Sequence, residues 1–185
     1  METTNPTNQE VLIRASCFLE EKQPKLGHEE CQHLVRELML YKNQWTLSQF
    51  LLNLRQEATV TFEDLEGELL RLSEFEPLQQ ITGVAEFLGE EFMVTKDTLI
   101  PRPETEELVE LILTENPEEN LKVLDIGTGS GAIALGLAKN RPDWSVTAAD
   151  ISQDALELAS ENAKNQNLNI FFKKSDCFAE ISEKY

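Results

Sequence analysis

With 185 residues, 41% hydrophobic side chains and a formal charge of −18, the chain can bury one core or two small ones, and it repels polyanions too strongly to suit a nucleic-acid groove. No apolar run reaches the roughly 18 residues of a membrane helix and no basic, apolar leader opens the sequence, so a soluble, cytoplasmic protein is expected. Cys17, Cys31 and Cys177 are odd in number, widely spaced and without a CxxC pair or histidine cluster, which argues for reduced thiols and against a bound metal.

Residues before about Gln9 read as a polar, flexible end. From there to about Ser73 the apolar residues recur at helical spacing: Val11, Leu12, Ala15, Phe18 and Leu19 make one stripe, Cys31, Leu34, Val35, Leu38 and Met39 another. Pro24 to Gly27 and Lys42-Asn43 interrupt them. Thr46 followed by Gln49, and Thr61 followed by Asp64, have the spacing of helix N-caps with a reaching third residue. A bundle of about four helices is expected, with its stripes as core rather than as ligand contacts.

Val84-Ala-Glu-Phe-Leu88 and Glu91-Phe-Met-Val-Thr95 then flank Gly89-Glu90, which predicts a short β-hairpin. In Pro101-Arg-Pro103 the prolines bias Ile100 and Arg102 towards extended backbone; Pro103 can open a helix whose dipole favours Glu104, Glu106 and Glu107, and Asn116-Pro117 ends it. Arg102 and Glu104-Thr105-Glu106 suit either a cofactor entrance or a helix cap. The remainder alternates strand and helix: Leu121 to Ile126, Ser130 to Lys139, Ser145 to Asp150, Asp154 to Asn165, Asn169 to Lys174. That is a parallel β-α-β-α-β unit with strand order 3-2-1. The expected domains are 1–75 (helical), 76–100 (hairpin linker) and 101–185 (α/β).

Within that unit, Val123-Leu-Asp-Ile-Gly-Thr-Gly-Ser-Gly-Ala-Ile-Ala-Leu135 runs an apolar strand into three closely spaced glycines and a helix. Glycines tolerate positive φ and carry no Cβ, so backbone N–H groups at such a turn can approach a nucleotide cofactor closely. Asp150 ends the second strand about 20 residues on, where a carboxylate can accept both hydroxyls of a ribose. Gly127-x-Gly129-x-x-Ala132 also satisfies the NAD fingerprint, so the glycines alone leave NAD and S-adenosylmethionine (SAM) both open.

Three features favour SAM. Asp125 completes an acidic-x-Gly-x-Gly-x-Gly pattern that resembles motif I of class I methyltransferases; Ser175-Asp176-Cys177-Phe178 resembles their adenine loop; and Leu99-Ile-Pro-Arg-Pro-Glu-Thr-Glu-Glu-Leu-Val-Glu110 precedes the turn, where a dehydrogenase has no use for it. With Glu76-Pro-Leu-Gln-Gln-Ile-Thr-Gly83 and Glu86-Phe-Leu-Gly89, these make nearly the whole chain resemble the HemK/PrmC protein-glutamine methyltransferases, which modify the glutamine of the Gly-Gly-Gln tip in peptide chain release factors.

The resemblance implies SAM as cofactor, a release factor as partner, residues 1–75 as a substrate-recognition domain and residues 101–185 as an incomplete Rossmann-like SAM domain. It places Gly127, Thr128, Gly129, Ser130 and Gly131 around the methionine moiety, Asp125 by its ammonium, Asp150 on the ribose, Asp176 on the adenine amino group and the Cys177 backbone along the ring edge. A tryptophan stands at the Cys177 position in some relatives. The family's Asn-Pro-Pro-Tyr motif, which grips the substrate amide, is absent: Asn5-Pro6 and Asn116-Pro117 are the only Asn-Pro pairs. No catalytic residue is therefore assigned, and the chain reads as part of a longer enzyme, inactive by itself. A ribosomal-protein glutamine methyltransferase and a non-catalytic, partner-binding remnant are the alternatives. The acidic field suits a basic protein partner.

Overall fold

Three threonines set helix starts in the first part of the chain. In the computed structural model, which describes residues 5–185, Thr7, Thr46 and Thr61 each accept the backbone N–H three residues on, while the side chains of Glu10, Gln49 and Asp64 reach back to the threonine amides. Each such cap stabilises its helix by about 1 kcal/mol. The helices are α1 (Asn8–Lys22), α2 (His28–Asn43), α3 (Leu47–Asn53), α4 (Phe62–Ser73) and a short α5 (Leu78–Thr82) that periodicity did not indicate. Val11, Ala15, Leu19, Val35, Leu38, Leu65 and Leu69 fill the core between them, and Leu12, Phe18 and Leu34 of the expected stripes are half-buried at its margin. Of the expected flexible end, residues 1–4 lie outside the described residues. Thr7 and buried Asn8 instead begin α1, because the Asn8 side-chain amide donates to Asn53 O at 2.9 Å.

The chain divides into two compact units, 1–82 and 83–185, and the hairpin falls in the second. Here β1 (Val84–Phe87) and β2 (Glu90–Met93) are antiparallel, with Phe87 opposite Glu90. The two-residue turn is Leu88-Gly89, one position earlier than Gly89-Glu90, and both residues have positive φ, 52° and 73°. That is the type I′ geometry matching the twist of a hairpin. Leucine tolerates it through long-range contacts. The Leu88 N–H donates to Glu106 Oε1 at 2.8 Å, and the Leu88 side chain lies so close to Gly136 that an added Cβ there would meet it at 2.8 Å.

Arg102 in extended backbone caps α6 (Pro103–Glu115), with Pro103 at its first position and Asn116 at its end. β3 (Lys122–Ile126), α7 (Ala132–Asn140), β4 (Ser145–Asp150), α8 (Gln153–Asn165) and β5 (Phe171–Lys174) follow. The three strands are parallel in the order β3-β4-β5. Val123, Val146, Ala148 and Phe172 share the face packed with Leu135, Val109 and Phe92. α7 begins at Ala132 behind left-handed Gly131, two residues later than Ser130. No helix among the described residues is long and apolar enough to cross a membrane.

Candidate cofactor site

Parallel strands bring Asp125, Asp150 and the loop after β5 to one edge, outside the strands' carboxyl ends. Ligands of open α/β sheets bind in the crevice at that edge. The glycine turn lies there too, with Gly127, Gly129 and Gly131 at φ 77°, 57° and 85°. Their roles divide. A Cβ added at Gly127 or Gly129 meets nothing within 4 Å, whereas one at Gly131 meets Ala159 Cβ at 3.1 Å and Leu135 Cδ1 at 3.3 Å. The first two glycines face open space; the third is needed for packing against α8.

The turn's amides are mostly committed within the fold. Gly127 and Thr128 N–H donate to Ala149 O at 2.8 and 3.0 Å, Gly131 N–H to Thr128 O at 2.9 Å, and Gly129 N–H to Asp150 Oδ2 at 2.9 Å. Among the described residues only the Ser130 N–H of this turn is left for a ligand, fewer than the glycine spacing suggests. Ser130 is itself buried.

Asp125 accepts the Thr128 hydroxyl at 2.7 Å. Burial pushes its carboxyl above the ordinary carboxylate value; the Thr128 hydroxyl and the Ala134 backbone N–H oppose the rise, and the like charge of Asp150 adds to it. The ionised form of a half-buried acid in that condition is stabilised by a cation brought beside it. Asp150 accepts Gly129 N–H at Oδ2 and Ser152 N–H at Oδ1, both at 2.9 Å, so each oxygen keeps one lone pair for a further donor. It is both a loop tie and a hydroxyl acceptor by capacity.

Ser175 builds the loop after β5. Its N–H donates to Asp150 O, its hydroxyl donates to Cys177 O at 2.9 Å and accepts Glu180 N–H at 3.1 Å. Asp176 and Cys177 are exposed, and Cys177 has φ 49°. Two further apolar side chains flank the acids in the open, Ile151 (62% exposed) beside Asp150 and Phe178 (68%) beside Cys177. Phe178 closes the Ser-Asp-Cys-Phe run of the sequence, but neither it nor Ile151 was given a role there, although exposed apolar residues next to two acids are a usable signal. Sequence reading also passed over Asn162, which stands on the buried stripe Ala155, Leu158, Ala159, Asn162, Ala163 of α8. The Asn-Pro pairs lie elsewhere. Asn116 ends α6 at the amino end of the sheet, with its side chain donating to Ile112 O, and Asn5 donates to Glu57 in the first unit.

The family model for the Methyltransferase small domain matches residues 104–185. Release factor glutamine methyltransferase of Streptococcus pneumoniae is 66% identical over 142 residues, 76% of this chain and 51% of that protein. The namesake of Enterococcus faecalis is 43% identical over 164 residues, 88% of this chain and 57% of that protein. By sequence, the chain is similar to release factor glutamine methyltransferases. The relative in Escherichia coli is 44% identical over 121 residues, 65% of this chain and 44% of that protein. The chain thus spans about half the length of the curated relatives it matches. Among solved structures, the ribosomal protein L11 methylase from Lactobacillus delbrueckii subsp. bulgaricus aligns over 44% of this chain and 42% of its own, at 32% identity and TM-score 0.40. A tRNA (uracil-54, C5)-methyltransferase of Pyrococcus abyssi aligns over 50% and 23%, at 20% identity and TM-score 0.43.

The α/β unit has the Rossmann-like arrangement of class I methyltransferases. The donor set suits the cofactor such enzymes use. Asp125 offers a half-buried carboxylate, Asp150 two acceptor oxygens, Ile151 and Phe178 apolar surface, and Gly127 and Gly129 leave the space above the turn clear.

Proposed function

We propose that the chain binds SAM at the carboxyl edge of β3-β4-β5 and forms the cofactor-holding part of a protein-glutamine methyltransferase that acts on peptide chain release factors. The observation that carries this reading is the pairing of a half-buried acid with an open-faced glycine turn: Asp125 bonded to the Thr128 hydroxyl, and Gly129 tied to Asp150 with open space where a Cβ would stand. SAM, when bound, supplies an activated methyl group. The protein's task is to hold it. In this reading Asp125 faces the cofactor's ammonium, Gly127 to Gly131 shape the space for its methionine moiety, Asp150 takes the ribose hydroxyls, and Asp176 with the Cys177 backbone borders the adenine. Ile151 and Phe178 add the flat apolar contact a purine requires.

The release factor as substrate, the cytoplasm as location and residues 1–75 as substrate-recognition domain rest on the likeness to the named relatives. A ribosomal-protein glutamine is the alternative substrate, and the negative field suits either basic partner. Transfer of labelled methyl from SAM to a Gly-Gly-Gln-containing release factor tests the chemistry. The 185 residues alone are expected to transfer none, because neither Asn-Pro pair lies at the site. Labelling by purified protein free of host enzyme would require an amide-orienting group elsewhere in these residues.

A further inference from the structure

Asn162 is buried on α8 and uses both its N–H groups and one oxygen lone pair on backbone. Its Oδ1 accepts Met93 N–H at 2.7 Å, and its Nδ2 donates to Met93 O at 3.0 Å and to Ser130 O at 2.9 Å. The two bonds to Met93 extend β2 as a neighbouring strand would. The third reaches the glycine turn.

The peptide between Ser130 and Gly131 is held from both sides, its carbonyl by Asn162 and its N–H by Thr128 O at 2.9 Å. Its orientation sets the entry into α7, where Gly131 takes φ 85°, and it bears on Ser130, whose own N–H is the turn's uncommitted donor. No other side chain of similar size offers one acceptor and two donors in a plane. Aspartate lacks the donors and leucine lacks everything.

We infer that Asn162 is a positioning residue for cofactor binding: it fixes the Ser130–Gly131 peptide, and with it the turn, against the end of the β1-β2 hairpin. This rests on the reading of the glycine turn as the SAM site. Other side chains of the same region hold the hairpin without touching the turn. Gln166 Nε2 donates to Glu91 O at 3.3 Å and Asn165 Nδ2 approaches Met93 Sδ, also at 3.3 Å. They provide the control that separates a general structural role from a positioning one.

The experiment compares wild type, Asn162→Asp, Asn162→Leu, Gln166→Ala and Gly129→Val in the full chain, titrated calorimetrically with S-adenosylhomocysteine, with melting curves and amide NMR spectra for each. Asn162→Asp is expected to bind about ten-fold or more weakly, a loss of the size of one or two buried hydrogen bonds, and to shift the Gly131 amide resonance. Gln166→Ala should stay within about two-fold and leave that resonance in place. If Asn162→Leu does not fold, Asn162→Asp carries the comparison, since it keeps the acceptor for Met93 N–H. Wild-type affinity in folded Asn162→Asp, or an equal loss in Gln166→Ala, overturns the positioning role. Undiminished binding by folded Gly129→Val instead overturns the site reading beneath it.

Discussion

In the proposed cofactor site, Asp125 links folding to ligand binding through its proton. A carboxyl whose folded pKa is raised above its ordinary value holds more protons folded than unfolded, so its contribution to stability falls as pH rises through the window between the ordinary and the folded value. Above that window the charged, half-buried acid remains a net cost. Denaturant unfolding over a pH series should therefore show wild type losing stability relative to Asp125→Asn across the window, and a pH-independent difference would contradict the burial argument. A cation beside Asp125 reverses the preference. SAM affinity of wild type should rise over the same window with proton release, while that of Asp125→Asn stays flat, as calorimetry in buffers of different ionisation heat can check. Asp150 was legible at the tip of its strand, but its bonds to Gly129 and Ser152 were not, because spacing does not reveal which amides a carboxylate takes up. Asp150→Ala is accordingly expected to lower the melting temperature and to weaken SAM binding by about 1.5–3 kcal/mol. A lowered melting point with unchanged affinity would leave Asp150 as a loop tie alone.

At the scale of elements, legibility followed locality. The caps at Thr46 and Thr61 and the bounds of β4 could be read because they depend on residues three apart or on a continuous apolar run closed by an acid. The hairpin turn could not, since Leu88 is held at positive φ by Glu106, 18 residues on, and by packing on Gly136. The three glycines looked equivalent in sequence and differ in surroundings. Gly129→Ala should cost about 1–2 kcal/mol of stability from its left-handed backbone alone. Gly131→Ala should cost more, because Ala159 and Leu135 stand 3.1 and 3.3 Å from the new Cβ. Denaturation midpoints of the two variants decide it: equal losses would remove the packing role given to Gly131. In the first unit, Leu69→Ala empties a fully buried position of α4 and should cost about 2–5 kcal/mol by the same measurement.

For the whole molecule, one face of the sheet is packed by helices, while the other meets the C-terminal segment, whose Tyr185 hydroxyl donates to Thr147 Oγ1 at 3.1 Å. Leu124, Thr147 and Phe171 lie in register across the strands on the face opposite Val123, Val146 and Ala148, and Phe171 is 65% exposed. The outer edge of β3 has no strand partner among the described residues. Such an edge and face invite pairing between copies despite the charge of −18. Sedimentation velocity should show concentration-dependent association that Phe171→Glu reduces; wild type monomeric throughout would count against it. The central claim, that the glycine turn is a SAM site, is tested most directly by calorimetric titration of the 185-residue chain with SAM, S-adenosylhomocysteine and NAD, beside Gly129→Val. The account predicts saturable binding of both adenosyl ligands, weaker or no binding of NAD, and loss of adenosyl binding in the folded variant, whose branched side chain enters the space above the turn. Preference for NAD, or equal SAM affinity in wild type and folded Gly129→Val, would contradict it.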